Sequence, residues 1–331
     1  MAGDPITELK RARAWRSTLA QVIQRLAPGG RLVRSRRLRG GVGARTDLLE
    51  IEEANGTRRK VTLRRFVRSN RSSQPEHVAH EYRVLELIER LDIPAPRPLL
   101  LDAHGELAGA PAMVLTYLPG APVYRPRNVT AWAEQLAAAL LRIHGVTPTR
   151  ADLSWLSVQL RDGVLRELDQ RREHAYRHGA LAREVHTALV DDIDSIEWPE
   201  ATLVHDDFWP GNTVWHRGRL TGVIDWTHAE MGDPRTDVAQ CRIDVALIID
   251  QRAADAFLAA YQRLAPARLP QLWYFDLLRG LRALLSFEFW LQGYHDAGLS
   301  YVTPPYFRRR IRAFLRGALE ERQRRGGTGR L

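Results

Sequence analysis

The segment HDDFWPGNTVWHRGRLTGVIDW, which begins at His205, gathers side chains whose types suit chemistry better than they suit a strand. Asp207, Asn212 and Asp225 belong to residue types that are depleted in strands, although strand-like apolar runs surround them. Folding alone therefore does not account for this choice of residues, which indicates an arrangement that brings the three side chains together.

A hairpin provides that arrangement. Two short strands around a two-residue turn at 217–218, counted outward from the turn, place Asn212 opposite Val223. Asp225 then lies just beyond Asn212 on the partner strand. Asp207, on the extended loop before the first strand, can reach the same end of the hairpin.

Such a cluster of carboxylates and an amide repels itself unless a cation neutralises it. Oxygen ligands without additional His or Cys favour Mg²⁺ over zinc or copper. A Mg²⁺ held by one amide and one carboxylate, with a second carboxylate left to take a proton, is the equipment for phosphoryl transfer. The competing interpretation is structural: Asp207 and Asn212 would cap turns, and Asp225 would pair with a surface arginine.

The pattern resembles the catalytic segment of the aminoglycoside phosphotransferase and choline kinase-like family, a branch of the protein-kinase-like fold. His205, Asp207 and Asn212 match its His-x-Asp-x-x-x-x-Asn loop, and Ile224-Asp225-Trp226 matches its metal motif. GDPRTDVA, which contains Asp237, matches the stretch that usually follows.

The resemblance implies a role for each matching residue. Asp207 is the expected catalytic base, His205 is the second expected catalytic residue of the loop, and Asn212 and Asp225 are the expected Mg²⁺ ligands. Asp237 stands in the place of a buried carboxylate that braces the loop. Asp206 replaces the family's usual glycine, and we expect a second carboxylate beside Asp207 to disfavour ionisation of both.

The N-terminal part of the chain should then hold the nucleotide phosphates. VTLR, residues 61–64, stands where kinases carry Val-Ala-Ile-Lys, and strand alternation places Thr62 and Arg64 on one face. Lys60 lies on the same face and is the alternative phosphate contact. Glu81 falls on the apolar stripe of the next helix, so it needs a cationic partner, and by resemblance that partner is Arg64.

Two other segments are expected to contact the nucleotide through their backbone. A glycine cluster lies where a phosphate-covering loop belongs, and MVLTYLPG, residues 113–120, resembles the family's hinge beside the adenine. The residues expected to make these contacts are Gly40, Gly41, Gly43, Thr116, Tyr117 and Leu118.

These elements predict an α+β, two-lobed protein-kinase-like fold, with a small β-rich lobe carrying one long helix and a larger, mainly helical lobe. Helices are predicted over 5–27, 75–91, 130–145, 157–178, 180–193, 235–264, 270–295 and 304–324. The predicted divisions are an N-terminal helical extension over 1–30, a nucleotide-binding lobe over 31–118, a helical lobe over 119–321 and a disordered tail over 322–331.

Composition argues against two classes of partner. The formal net charge is +10, and almost all of the positive charge comes from scattered arginines. No nucleic-acid-binding motif accompanies them, which argues against a nucleic-acid partner. Cys241 is the only cysteine, and no apolar run is long enough to span a bilayer, so we expect a cytoplasmic protein without a membrane partner.

The sequence thus favours an ATP-dependent phosphotransferase, with GTP as the other candidate donor, acting on a hydroxyl of a small molecule. An aminoglycoside-like antibiotic or a hydroxylated metabolite would serve as acceptor. The alternative is a nucleotide-binding pseudokinase with a regulatory role, which the arginine at position 64 keeps open.

Overall fold

A computed structural model describes residues 5–38, 44–67, 74–265 and 268–326 of the chain. The chain divides into two compact units, Met1–Pro119 and Gly120–Leu331. Within the described ranges, no helix combines the length and the apolar character needed to cross a membrane.

In the described residues, the N-terminal unit is a five-stranded antiparallel sheet with two helices. Its strand order is β1-β2-β3-β5-β4, and a turn at Asn55-Gly56 joins β2 to β3, with Gly56 at a φ of 83°. The elements are α1 Pro5–Leu26, β1 Arg31–Arg37, β2 Arg45–Glu52, β3 Arg58–Arg65, α2 Pro75–Arg90, β4 Pro98–Asp102 and β5 Ala112–Thr116.

Helix α1 packs on this sheet rather than extending away from it. Leu19, Val22 and Ile23 recur at helical spacing, and they are buried in one apolar cluster with Ile51 and Leu63 of the sheet. The part of the predicted N-terminal extension from Leu19 to Ala27 therefore contributes to the core of the N-terminal unit.

The C-terminal unit is mainly helical and carries short strands around the candidate site. Strands β6, β10 and β7 form one small sheet, and β8 and β9 form a hairpin. The elements are α3 Val129–His144, β6 Val158–Gln159, α4 Arg161–Arg177, α5 Ala180–Asp192, β7 Thr202–Val204, β8 Thr213–His216, β9 Arg219–Val223, β10 Glu230–Gly232, α6 Arg235–Ile248, α7 Gln251–Leu264, α8 Leu272–Leu285, α9 Phe287–Asp296 and α10 Pro304–Gly326.

Two helices predicted as continuous are each broken in two. The helix over 235–264 stops at Ile248, because Asp250 caps a new helix by accepting the N–H of Ala253 (2.8 Å). The helix over 270–295 breaks at Ser286. Helix α10 continues through 322–326, so the predicted disorder there is wrong, and residues 327–331 lie outside the described residues.

Gly120 allows a close backbone approach at the start of the C-terminal unit. Its φ is 126°, and a Cβ there would lie 2.1 Å from the carbonyl oxygen of Trp215. That carbonyl accepts the N–H of Ala121 (3.1 Å), and the N–H of Trp215 donates back to Ala121 (3.0 Å).

We expect Gly120→Ala to lower the free energy of unfolding by about 1–3 kcal/mol, because the clash is with backbone that cannot swing aside. Gly317→Ala is the matched control: Gly317 lies in α10 with open space around it, so alanine should stabilise by about 0.5–1 kcal/mol. Denaturant unfolding followed by tryptophan fluorescence measures both. Equal stability of the two variants would contradict the expected clash.

Candidate active site

The hairpin of β8 and β9 forms as predicted at its turn but not along its length. His216 pairs with Arg219, whereas Val223 lies opposite Thr213 and not opposite Asn212. The cause is an irregularity in the ladder that leaves Thr221 as an extra residue on β9.

Because of the register shift, the two proposed metal ligands are offset by fewer residues across the paired strands than predicted. The N–H of Ile224 donates to the main-chain carbonyl of Asn212 (2.8 Å), so Asp225 is one residue past the pairing point, not two. Asp225 itself has a φ of 67°, a left-handed conformation that Asp and Asn tolerate better than most residues do. The hairpin end and this turn therefore place Asn212 beside the Asp225 backbone.

Asp207 lies against Asn212. The Nδ2 of Asn212 donates to the Oδ2 of Asp207 (2.8 Å) and to its main-chain oxygen (2.9 Å). Burial raises the pKa of Asp207 well above its ordinary value, and the charges of Asp225 and Asp244 raise it further. The predicted approach of Asp207 to Asn212 is confirmed.

The donor atoms at this point fit a hard cation. Because Asn212 uses its amide nitrogen on Asp207, its Oδ1 is the amide atom left for a metal, and Asp225 adds a carboxylate that accepts the Thr227 hydroxyl (2.9 Å). Within the described ranges, no group of three or more His, Cys, Asp or Glu is placed to hold a metal. One amide and one carboxylate suit Mg²⁺, which keeps most of its water.

Asp237 braces the loop that carries Asp207. From α6, its Oδ2 accepts the N–H of His205 (2.7 Å) and its Oδ1 accepts the N–H of Asp206 (2.8 Å). His144 bridges Asp237 and the hydroxyl of Tyr261, at 3.2 Å and 2.7 Å. Burial would raise the pKa of Asp237, but the hydrogen bond and charge of His144 outweigh it and hold the pKa below its ordinary value. The carboxylate therefore stays ionised in the core.

His205, predicted as a catalytic residue, is completely buried. Its Nε2–H donates to the Ile224 carbonyl (3.1 Å), and its ring packs on Trp226 at 4.7 Å between centroids. Burial lowers the pKa of His205. The geometry suits a neutral ring that ties the loop to the hairpin, not a group that touches a substrate.

Asp206 does not face Asp207 as an unneutralised charge, contrary to our expectation. Its carboxylate pairs with the guanidinium of Arg279 on α8, and Arg282 lies 3.9 Å away. Burial and the charges of Asp225 and Asp244 raise the pKa of Asp207 more than the charge of Asp206 does. The pair with Arg279 therefore leaves Asp206 with only a small effect on the pKa of Asp207.

In the N-terminal unit, the predicted ion pair between Arg64 and Glu81 is present. Glu81 is 1% exposed on the apolar face of α2, and Arg64 is partly buried on β3. Lys60, the alternative, has an exposed side chain. Thr62 shares the face of Arg64, as predicted, and its hydroxyl lies 3.4 Å from the Leu115 carbonyl.

Thr116, the first residue of the predicted hinge, uses two of its polar groups within the fold, and a nucleotide contact through its backbone stays a prediction. The N–H of Thr116 donates to the Arg97 carbonyl (2.9 Å), and its hydroxyl accepts the N–H of Arg97 (2.8 Å), so these groups already have partners within the fold. Tyr117 and Leu118, just beyond β5, are half-buried. The predicted glycines at 40, 41 and 43 lie outside the described residues.

Sequence reasoning missed Arg279, although the signal was there: an arginine inside the apolar helix LWYFDLLRGLRALL must find a buried partner. It also missed Asp244 of α6. Asp244 accepts the Tyr294 hydroxyl (2.6 Å) and the Gln240 amide (2.7 Å), and burial raises its pKa to about 7.

The chain belongs to the phosphotransferase enzyme family, whose model matches residues 36–272. Homoserine kinase from Polaromonas naphthalenivorans is 28% identical over 244 residues, which cover 67% of this chain and 74% of that kinase. Acyl-CoA dehydrogenase family member 10 from Mus musculus is 25% identical over 199 residues, which cover 55% of this chain but only 18% of the mouse protein. Family membership and the similarity to homoserine kinase indicate a small-molecule kinase.

Solved structures show the same protein-kinase-like fold. Macrolide 2'-phosphotransferase from Brachybacterium faecium superposes with a TM-score of 0.61 at 21% identity, covering 87% of this chain and 99% of that chain. A thermostable aminoglycoside phosphotransferase mutant, in a ternary complex with ADP and hygromycin B, gives 0.59 at 19% identity, covering 89% and 96%. The predicted family and fold class are confirmed.

We expect Asp237→Asn to lose about 1.5–3 kcal/mol for each charged hydrogen bond that it weakens. Since the pKa of Asp237 is lower folded than unfolded, its stabilisation is complete above the ordinary value of 3.8 and is lost as the pH falls through the folded value. Denaturant unfolding of wild type and variant should differ constantly between about pH 5 and 7, and converge under stronger acid.

Asp250→Asn is the control, because asparagine caps a helix as well as aspartate does and should change stability little. A stability difference for Asp237→Asn that grows on acidification would contradict an ionised Asp237.

Proposed function

We propose that this protein is an ATP-dependent phosphotransferase that moves the γ-phosphate to a hydroxyl of a small molecule, with Asp207 as the base. The observation that carries the proposal is the contact between Asp207 and Asn212, at the end of the hairpin that leads into Asp225. Three residues of different roles thereby meet at one point, which the turn-capping interpretation does not require.

Asp207 orients the acceptor hydroxyl and takes its proton as the oxygen attacks the γ-phosphorus. The new O–P bond replaces the bond to the β-phosphate oxygen, and ADP leaves with that electron pair. The raised pKa of Asp207 favours this role, because a carboxylate with a higher pKa is a stronger base. The hydrogen bond from Asn212 fixes the carboxylate for in-line attack.

Asn212 through its Oδ1 and Asp225 through its carboxylate would hold Mg²⁺. When bound, this ion would offset the charge of the phosphates and of Asp225. Their oxygen donors support the assignment. His205 and Asp237 then serve as positioning residues, since both hold the loop through hydrogen bonds and neither side chain is exposed.

Residues of the N-terminal unit are proposed to bind the nucleotide. Arg64 would contact the phosphates while Glu81 fixes its guanidinium, which suits bidentate phosphate binding better than a lysine would. Tyr117 and Leu118 would offer backbone groups to the base of ATP or GTP. The ADP named in the aminoglycoside phosphotransferase complex supports an adenine nucleotide.

The acceptor is a small hydroxylated molecule. The relatives named homoserine kinase, and the structural neighbours named for macrolide and aminoglycoside phosphotransfer, support this class. An aminoglycoside-like antibiotic and a hydroxylated metabolite both remain within it.

Asp207→Asn should lower phosphate transfer by about 10²–10⁴-fold, because it removes the proton acceptor while keeping shape and hydrogen bonding. Asp206→Asn is the matched control and should cost far less, because asparagine tolerates the left-handed backbone at 206 and still accepts a bond from Arg279. Initial rates and ATP calorimetry measure both, and ATP affinity should stay similar. Equal losses at 206 and 207 would refute Asp207 as the base.

Asp225→Asn should weaken Mg²⁺ binding because a neutral ligand replaces a charged one. Half-maximal activity should then require at least about tenfold more Mg²⁺. Asparagine is preferable to alanine because position 225 is left-handed and bonded to Thr227. A Mg²⁺ titration of the initial rate provides the measurement. An unchanged titration curve would remove Asp225 from the metal site.

A further inference from the structure

We propose that Arg279 is a positioning residue for the base, acting through Asp206. This inference rests on the proposed function, and it assigns a task to the aspartate that replaces the family's usual glycine. Arg279 lies on α8 and is 3% exposed, so its charge has been placed in the interior at considerable cost. A buried guanidinium that contacts the residue before the base calls for an explanation beyond packing.

The backbone at 206 is the reason that an anchor is needed. Asp206 has a φ of 58°, a left-handed conformation that glycine adopts freely and that costs other residues energy. The peptide between 206 and 207 sets the direction in which Asp207 leaves the loop. A chain with aspartate at this position must therefore hold the conformation with contacts that a glycine-containing loop does not require.

Arg279 and Asp237 supply those contacts. Asp237 accepts the N–H of Asp206 at 2.8 Å, while Arg279 pairs with its carboxylate and lies 3.4 Å from its carbonyl oxygen through Nη1. The N–H, the carbonyl and the side chain of Asp206 are thus each engaged. Asp207 follows directly, so rotation at 206 would move the base.

Further charged groups surround the pair of Arg279 and Asp206. Arg282, one turn further along α8, pairs with Glu167 of α4, and its Nη1 lies 3.9 Å from the Asp206 carboxylate. Burial raises the pKa of Glu230 on β10 to about 7, the charge of Asp206 raises it further, and the charge of Arg279 lowers it. Arg279 is therefore the buried member of a partly buried charge network that spans α4, α8, β10 and the catalytic loop.

The test is a double-mutant cycle on transfer kinetics. Arg279→Met should lower kcat by about 10–100-fold, with little change in the KM for ATP, because the base is misplaced but the nucleotide contacts remain. In an Asp206→Gly background, glycine holds the left-handed backbone unaided, so the same change should cost less than about threefold. Arg279→Lys should recover part of kcat, since it restores the charge but not both contacts.

Arg242→Met is the matched control. Arg242 is a largely buried arginine on α6 that pairs with Asp276 of α8 and with Asp255 of α7. Its removal should lower stability while kcat, measured well below the unfolding transition, stays unchanged. Equal fold-losses for Arg279→Met in both backgrounds, or a loss confined to KM, would overturn the positioning role.

Hydrogen exchange of the loop tests the inference without catalysis. In Arg279→Met, the amides of His205 and Asp206 should exchange at least about tenfold faster relative to a peptide from α3, whereas Arg242→Met should leave this ratio unchanged. If wild type transfers no phosphate, the proposed function fails and this ratio still decides whether Arg279 holds the loop. An unchanged ratio in both Arg279→Met and Arg279→Lys would overturn the inference.

Discussion

The candidate site depends on one buried carboxylate, that of Asp237. Each of its oxygens accepts a consecutive main-chain N–H, from His205 and Asp206, and His144 completes its hydrogen bonding. An ionised group in the core is tolerable only with such partners, because an unpaired buried charge costs far more than a neutral one. The carboxylate therefore fixes the loop in one conformation, and this conformation determines the position of Asp207.

Two left-handed aspartates then define the site. Asp206 and Asp225 have φ values of 58° and 67°. Asp206 directly precedes the proposed base, and Asp225 is itself a proposed metal ligand. Asp is among the few residues other than glycine that visit this region readily. The same residue type thus satisfies the backbone and supplies charge. At 206 that charge is neutralised by Arg279, and at 225 it faces the position proposed for the metal.

Much of this was predictable because local rules and chemistry agree. The turn at 217–218 follows from its turn residues, and the approach of Asn212 to Asp207 follows from their short spacing. The cost of a buried charge requires a cationic partner for Glu81, and the family resemblance identified that partner as Arg64. The family resemblance supplied the roles. These features involve neighbours in sequence or one obligatory partner, so few alternatives competed.

The rest depends on local irregularities and on contacts between distant segments, neither of which hydrophobic periodicity reveals. The extra residue at Thr221 shifted the hairpin register, and a helical cap at Asp250 divided a helix that looked continuous by periodicity. The N–H of Thr116 donates to Arg97, which lies 19 residues earlier in the chain. Arg279 lies 73 residues from its partner Asp206, beyond the reach of any spacing rule.

The central claim is that this arrangement transfers phosphate to a small molecule. The most direct measurement incubates the protein with ATP, Mg²⁺ and a panel containing homoserine, aminoglycosides, macrolides and other hydroxylated metabolites, with products followed by mass spectrometry. The account predicts that at least one acceptor gains a phosphate, with one ADP formed for each phosphate transferred. Binding of ATP without phosphorylation of any acceptor in the panel would contradict it and favour a nucleotide-binding pseudokinase.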